Sequence, residues 1–261
     1  GFGGYVSFPV IFISRLLGMR SIIHEQNFIP GLANKYSAVF ADKICVSFKN
    51  TEKYFSEKKV VFTGNPVREN ILQISRGSES LKAPFTILVF GGSQGARGIN
   101  TAIAGQVDKF SAVRKSITLI HITGERDFES VKSAYLRNGI SAEVHKYLFD
   151  METAYQRASF AVCRAGATTI AELIMLKIPA IFIPYPYSTE NHQKANADFL
   201  EERGCGIVLE EKKIALLPYK ILELINRPQK LADMAAAYST IDYPDTFAEF
   251  FKLISALSGN K

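Results

Sequence analysis

The sequence predicts an α/β protein made of two doubly wound units with parallel sheets, the first of them incomplete. Three observations carry that expectation. Short apolar runs of strand length alternate with stretches whose apolar residues recur at i, i+3 and i+4, and such repeated βα order implies parallel strands with helices on both faces. The polar segment 75–84, which contains Gly77 and Pro84, interrupts the alternation and reads as a linker. A chain of 261 residues, 47% hydrophobic, can bury the cores that two such units need.

In chain order, strands are expected at 21–24, 43–46 and 59–62 before the linker. After it they are expected at 86–90, 118–123, 142–146, 160–163, 180–183 and 206–209. Helical spacing covers 6–17, 127–136, 151–158, 169–176 and 192–202. A last helix, 246–257, follows Pro244, carries Phe247, Phe250, Phe251, Ile254 and Leu257 on one face, and is expected to pack back on the first unit. The domains are therefore drawn as 1–74, the linker 75–84, a second domain 85–243 and a terminal helix within 244–261.

A formal charge of +6 fits anionic partners such as phosphates or an acidic membrane surface. Nucleic acid is not expected, because the basic residues are scattered and no recognition motif accompanies them. Cys45, Cys163 and Cys205 are odd in number and far apart, which fits a reducing compartment and offers no zinc pattern. The uncharged run 1–14 is too short for a bilayer span and is broken by glycines and Pro9, and no signal peptide is apparent. The chain opens Gly1-Phe2-Gly3-Gly4-Tyr5 inside what reads as a strand-to-helix loop, without an initiator Met, so it is expected to lack an N-terminal part.

Residues 159–172 read as a buried strand, a small-residue turn and a helix start. That arrangement lets backbone N–H groups approach a phosphate at the positive end of the helix dipole, with Thr168 and Thr169 adding hydroxyls and Glu172 one turn in, able to accept from a ribose. Thr168 as an ordinary N-cap, with Glu172 as a dipole partner, accounts for the same residues equally well. A second glycine-rich loop, 91–98, follows the strand 86–90. It lacks both the Lys-Ser/Thr ending of a P-loop and the glycine order of a dinucleotide fingerprint, which disfavours a nicotinamide cofactor. Its Ser93 is either a diphosphate donor or a turn serine. Arg68, in Gly64-Asn65-Pro66-Val67-Arg68, falls near the cleft between the units, as a phosphate contact or as a solvated arginine at a helix start. His24-Glu25-Gln26-Asn27 ends a strand at the ligand-binding end of an α/β sheet. Asn27 can both donate and accept there, while His24 can equally be a satisfied buried histidine and Glu25 a solvated residue. His192 and Gln193 begin a helix with groups suited to sugar hydroxyls, though neither is unusual on a surface helix.

Taken in order, GFGGYVSFP, HEQN…PGLANK, GNPVR, GGSQGARGIN, CRAGATTIAE and PYP…NHQKANA make nearly the whole chain similar to one family. This is the bacterial UDP-N-acetylglucosamine:undecaprenyl-diphospho-muramoylpentapeptide N-acetylglucosaminyltransferases of glycosyltransferase family 28. The resemblance implies a GT-B architecture of two Rossmann-like domains, the second holding the donor nucleotide. It implies a donor site of Asn27, Arg68, Ser93, Leu148, Ala167, Thr168, Thr169, Ile170, Ala171, Glu172 and Gln193. Within it Glu172 meets the ribose, the Leu148 backbone meets the uracil, and Ala167, Thr168, Thr169 and Ser93 surround the diphosphate. Gln193 and Asn27 contact GlcNAc, Arg68 faces the phosphates, and residues 1–7 belong to the acceptor side.

The implied reaction is inverting transfer of GlcNAc from UDP-GlcNAc to the C4 hydroxyl of the MurNAc of lipid I, giving lipid II, with no metal and no cofactor. The resemblance also implies peripheral attachment to the cytoplasmic face of the membrane, with Val10, Ile11, Phe12, Ile13 and Arg15 as contributors unless they form a core helix. The family's general base is expected upstream of Gly1, and none of His24, His121, His145 and His192 matches its motif. The chain is thus expected to bind donor weakly and not turn over. The alternatives are a UDP-sugar transferase acting on diacylglycerol and a non-catalytic sugar-nucleotide-binding fragment.

Overall fold

The computed structural model describes residues 1–92 and 94–259, the side chain of Ser78 excepted. It has the expected α/β class, with two sheets that are parallel throughout. The first runs in the order β1 (Ile22–Glu25), β2 (Lys43–Val46), β3 (Val60–Phe62) and is flanked by α1 (Ser7–Leu16) and α2 (Leu32–Phe40). Its core is small: Ile11, Ile23, Ala41, Ile44 and Val46.

The second sheet is formed by β4 (Phe85–Phe90), β5 (Ile117–Ile122), β6 (Ala142–His145), β7 (Phe160–Cys163), β8 (Ala180–Phe182) and β9 (Gly206–Val208), in the order β6-β5-β4-β7-β8-β9. Because side chains alternate along a strand, Ile87 and Val89 of β4 enter the core on one face, with Val162 and Ile181. Leu88 and Phe90 enter the other, with Ala161, Cys163 and Phe182. Burial on both faces explains why these strands read as unbroken apolar runs.

After the short α3 (Glu69–Leu72), the helices α4 (Arg97–Ala104), α5 (Phe128–Arg137), α6 (Met151–Arg157), α7 (Ala167–Leu176) and α8 (His192–Glu201) connect these strands. Then come α9 (Leu217–Asn226), α10 (Pro228–Ala237) and α11 (Thr246–Ser258). The strand expectations agree with the structure to within about one residue at each end. The structure adds helices not named from spacing, α2, α3, α4, α9 and α10, of which α9 and α10 both carry a proline in their first turn, a helix-start signal.

Segment 75–84 is docked on the second sheet's domain. The Arg76 guanidinium donates to Leu176 O at 2.8 Å, to Ser80 Oγ at 3.2 Å and to the carbonyl of Ala158. Burial lowers its pKa to about 10. The chain returns to the first sheet through Tyr243, whose hydroxyl accepts from Asn65 N (2.8 Å) and lies 3.2 Å from Asn65 O. Phe250 of α11 packs edge-to-face on His24, centroids 5.4 Å apart. Gly64 makes this crossing possible: its φ is +72°, and a Cβ there would lie 2.7 Å from Thr246 Oγ1.

Behind the loop that follows β4, Asn100 donates to Thr123 O (2.8 Å) and to Asp127 Oδ2 (2.8 Å), and its Oδ1 lies 3.0 Å from His121 Nε2. The loop itself runs against the backbone after β5, where a Cβ on Gly95 (φ +74°) would lie 2.0 Å from Thr123 O. Gly95→Ala combines a left-handed conformation with a backbone clash. It is expected to lower stability by roughly 2 kcal/mol or more, read as a lower urea midpoint; an unchanged midpoint would show that the two loops separate freely.

Candidate functional site

Strand order reverses between β4 and β7, with β5 and β6 on one side and β8 and β9 on the other. Chains leaving two such strands part in opposite directions and open a crevice beyond the carboxyl ends. Phe90 and Cys163 are register partners at those ends, so the glycine-rich loop and the turn 164–166 emerge side by side.

The turn delivers α7. Gly166 is its N-cap (φ −66°, ψ 148°) and has no side chain to cap with, and the first turn holds no acidic residue. Thr168, the N-cap of the simpler sequence reading, therefore lies inside the helix. The first intrahelical bond is Ile170 N to Gly166 O, 2.9 Å, so the N–H groups of Ala167, Thr168 and Thr169 have no acceptor within α7. An uncapped helix terminus at a crevice suits an anion. Ile170 and Ala171 are buried in the core, so their side chains face away from the crevice.

Glu172 is buried and doubly held. Its Oε2 accepts from the Tyr155 hydroxyl at 2.7 Å, and its Oε1 pairs with Arg68 Nη2 at 3.3 Å. Arg68 caps α3 in the first domain and is half exposed, so the pair spans the cleft and leaves other guanidinium N–H groups free. Gln193 Oε1 accepts from Ala165 N (3.3 Å) and Tyr185 N (3.0 Å), which fixes the carboxamide so that its NH₂ is the group left to donate. Leu148 packs at the margin of the core, and its backbone N–H and C=O have no protein partner among the described residues. Ser93 lies outside the described residues.

On the first domain Asn27 Nδ2 donates to Glu25 Oε1 (3.3 Å), and its Oδ1 accepts from Asn196 Nδ2 (3.2 Å). Glu25 is not the solvated residue of one sequence reading. It is 2% exposed and also accepts from Asn27 N, Gly31 N and Asn34 Nδ2 at 2.8–3.0 Å, which shapes the loop after β1. His24 is buried, as the other reading had it, but not fully satisfied: Nε2 lies 2.9 Å from Gly64 O, Nδ1 has no partner among the described residues, and burial lowers its pKa to about 4.

Sequence reasoning missed two supports. Asn196, fully buried on α8, accepts from Phe28 N (2.9 Å) and donates to Ala165 O (3.2 Å) as well as to Asn27. One carboxamide thus ties the β1 loop to the turn before α7. Its signal was a polar residue within the buried stripe Asn196, Ala197, Phe199, Leu200. Tyr155 was the other, an aromatic in the apolar stripe of α6 whose buried hydroxyl needed a partner. Around these polar ties, Phe28, Phe48 and Phe199 form an aromatic cluster with centroids 4.9–5.7 Å apart.

Two parallel-sheet domains, one with a switch-point crevice and both contributing to a shared cleft, define the GT-B type of α/β protein. Residues 86–254 match the glycosyltransferase family 28 C-terminal domain and residues 1–46 the family 28 N-terminal domain. The chain belongs to glycosyltransferase family 28. It is similar to the UDP-N-acetylglucosamine–N-acetylmuramyl-(pentapeptide) pyrophosphoryl-undecaprenol N-acetylglucosamine transferase of Geotalea uraniireducens, 40% identical over 88% of this chain and 65% of that protein. The transferase of the same name from Acetivibrio thermocellus is 37% identical over 100% of this chain and 73% of its own length. The crystal structure of Acinetobacter baumannii MurG superposes with a TM-score of 0.79 at 29% identity, over 98% of this chain and 73% of that one. The chain spans about two thirds of the length of the curated relatives it matches, 65–66% for the first two.

The buried histidines make stability depend on pH. Unfolded, an imidazole takes up its proton near pH 6.5; folded, His24 stays neutral until about 4 and His121 until about 3. The unfolded state binds more protons in that window, so stability falls as pH drops from 6.5 towards 4, by roughly 3 kcal/mol for His24 alone. Urea midpoints measured from pH 7 to 5 are expected to fall, and to fall about half as steeply in His24→Gln, where His121 keeps its share; a level wild-type profile would contradict the burial.

Proposed function

We propose that the chain carries the donor site of an inverting hexosyltransferase of peptidoglycan synthesis. The enzyme moves GlcNAc from UDP-GlcNAc to the C4 hydroxyl of the MurNAc of lipid I, giving lipid II. The carrying observation is the uncapped N-terminus of α7 at the switch point, with Glu172 and Gln193 beside it; the names of the similar transferases supply the donor and acceptor. The diphosphate meets the N–H groups of Ala167, Thr168 and Thr169. Glu172 accepts from the ribose, the free backbone groups of Leu148 meet the uracil, and Gln193 and Asn27 contact GlcNAc hydroxyls. As the bond to UDP breaks, charge grows on the leaving phosphate, where fixed N–H dipoles and Arg68 stabilise it without reorganising.

The acceptor hydroxyl needs a base, and the chain's histidines do not supply one in this reading. His24 and His121 are buried and neutral, His145 ends the edge strand β6, and His192 Nε2 is buried 3.8 Å from Glu190. The chain alone is therefore proposed to bind donor without turnover. Calorimetry is expected to show weak UDP-GlcNAc binding, which Gln193→Glu lowers at least about tenfold by replacing the donor NH₂ with a charged acceptor, a larger loss than for UDP, which meets only the added charge. No transfer to lipid I is expected. Failure to bind UDP-GlcNAc at millimolar concentration would sink the donor site, and transfer by the chain alone would sink the statement about the base.

Attachment to the cytoplasmic face of the membrane is part of the same proposal. No described helix is long and apolar enough to cross a bilayer, but Val10, Ile13, Leu16 and Leu17 are exposed around Arg15 and Arg20. Ile11 is a core residue and Phe8 stacks among Phe12, Tyr36 and Phe40, so these two support the fold, whereas Phe12 is exposed and belongs to the patch. The pair Val10→Ser and Ile13→Ser is expected to reduce flotation with phosphatidylglycerol vesicles several-fold. Unchanged flotation would rule this face out as the contact.

A further inference from the structure

We propose that Tyr155 is the positioning residue that makes this site select ribonucleotides over deoxyribonucleotides, by holding the Glu172 carboxylate in the one orientation that presents Oε1 to the pentose. The inference rests on the reading of Glu172 as the ribose acceptor. A glutamate has three side-chain rotors, and a carboxylate that swings freely accepts from a ribose hydroxyl or from water with little discrimination. Here one oxygen is fixed. The Tyr155 hydroxyl donates to Oε2 at 2.7 Å from a fully buried ring that packs edge-to-face on Phe90, centroids 6.1 Å apart. Burial and the neighbouring carboxylate push the phenol well above its ordinary pKa, so it remains a donor at every working pH.

The other oxygen marks where a ligand hydroxyl goes. Oε1 is reached across the cleft by Arg68 Nη2 at 3.3 Å, from a guanidinium that is half exposed, so this is the open side of the carboxylate. A carboxylate oxygen takes two hydrogen bonds, which leaves room on Oε1 for a ribose hydroxyl beside or in place of the arginine. Tyr155 also belongs to α6, which begins immediately after the loop carrying Leu148 and is capped by Asp150 accepting from Thr153 N at 3.0 Å. The loop proposed to meet the base and the residue that sets the pentose acceptor are thus fixed to one helix.

The test titrates the 261-residue chain, Tyr155→Phe and Glu172→Ala with UDP and with 2′-deoxy-UDP by calorimetry. The wild-type chain is expected to prefer UDP about tenfold, the value of one hydrogen bond to a charged acceptor. Tyr155→Phe, which keeps the ring and its packing, is expected to lose most of its UDP affinity advantage while 2′-deoxy-UDP binding hardly changes, so the ratio falls towards one. Equal weakening for both ligands, with the ratio kept, would reduce Tyr155 to a packing residue and overturn the proposal. A wild-type ratio of one would likewise overturn the selectivity proposed here, whereas undiminished UDP binding by Glu172→Ala would overturn the ribose reading on which it stands.

Discussion

Everything at the site depends on the reversal of strand order between β4 and β7. Neighbouring parallel strands whose connections depart to opposite sides cannot close over their own carboxyl ends, and the gap is a property of chain path rather than of any side chain. The sequence places in that gap two turns that do not fill it. One is glycine-rich and the other, Arg164-Ala165-Gly166, ends in a residue with no side chain to satisfy the helix behind it. A glycine at the N-cap of α7 is a small local cost, about 0.3 kcal/mol against a capping side chain. At this position the cost leaves three N–H groups unclaimed.

Rigidity around the gap is supplied by polar groups that are buried and paired. Glu25 gathers four N–H groups, and Asn196 joins two loops through three partners. Asn100 bridges α4, the loop after β5 and His121. Buried polar groups are costly unless satisfied, and a satisfied network has few alternative geometries. Burial itself holds His24 and His121 neutral, because each imidazole lies where a charge would be desolvated.

Much of the fold was legible in the sequence because burial on two faces writes itself as continuous apolar runs, as in 86–90 and 160–163. Less of the site was legible. The chemistry-bearing positions Glu172, Gln193 and Asn27 stand at loop ends and helix starts, where sequence signals are strong. Their supports Tyr155 and Asn196 sit on buried helix faces, where an aromatic or a lone amide looks like core. Their partners lie 17 residues away for Tyr155 and up to 169 for Asn196, distances that no local pattern encodes. Helix α2 was missed for a related reason: it buries Asn34 and Ser37 rather than a full apolar stripe, so its inward face does not read as hydrophobic.

The two domains meet through elements of different character, and this assigns them different roles. In the aromatic cluster Phe48 and Phe199 are buried and Phe28 partly so, and buried Asn196 pairs with half-buried Asn27, so separating them exposes apolar area and orphans polar groups together. The ion pairs Arg68–Glu172 and Lys35–Glu190 each include a cation more than a third exposed, and such pairs contribute little to holding surfaces together. The buried contacts therefore set how the domains sit, while the cations can exchange a protein carboxylate for a ligand phosphate at small cost to the interface. Arg68 is thus suited to meet charge that arrives with a ligand, and Glu172, held from behind by a neutral phenol, keeps its place when the arginine turns away.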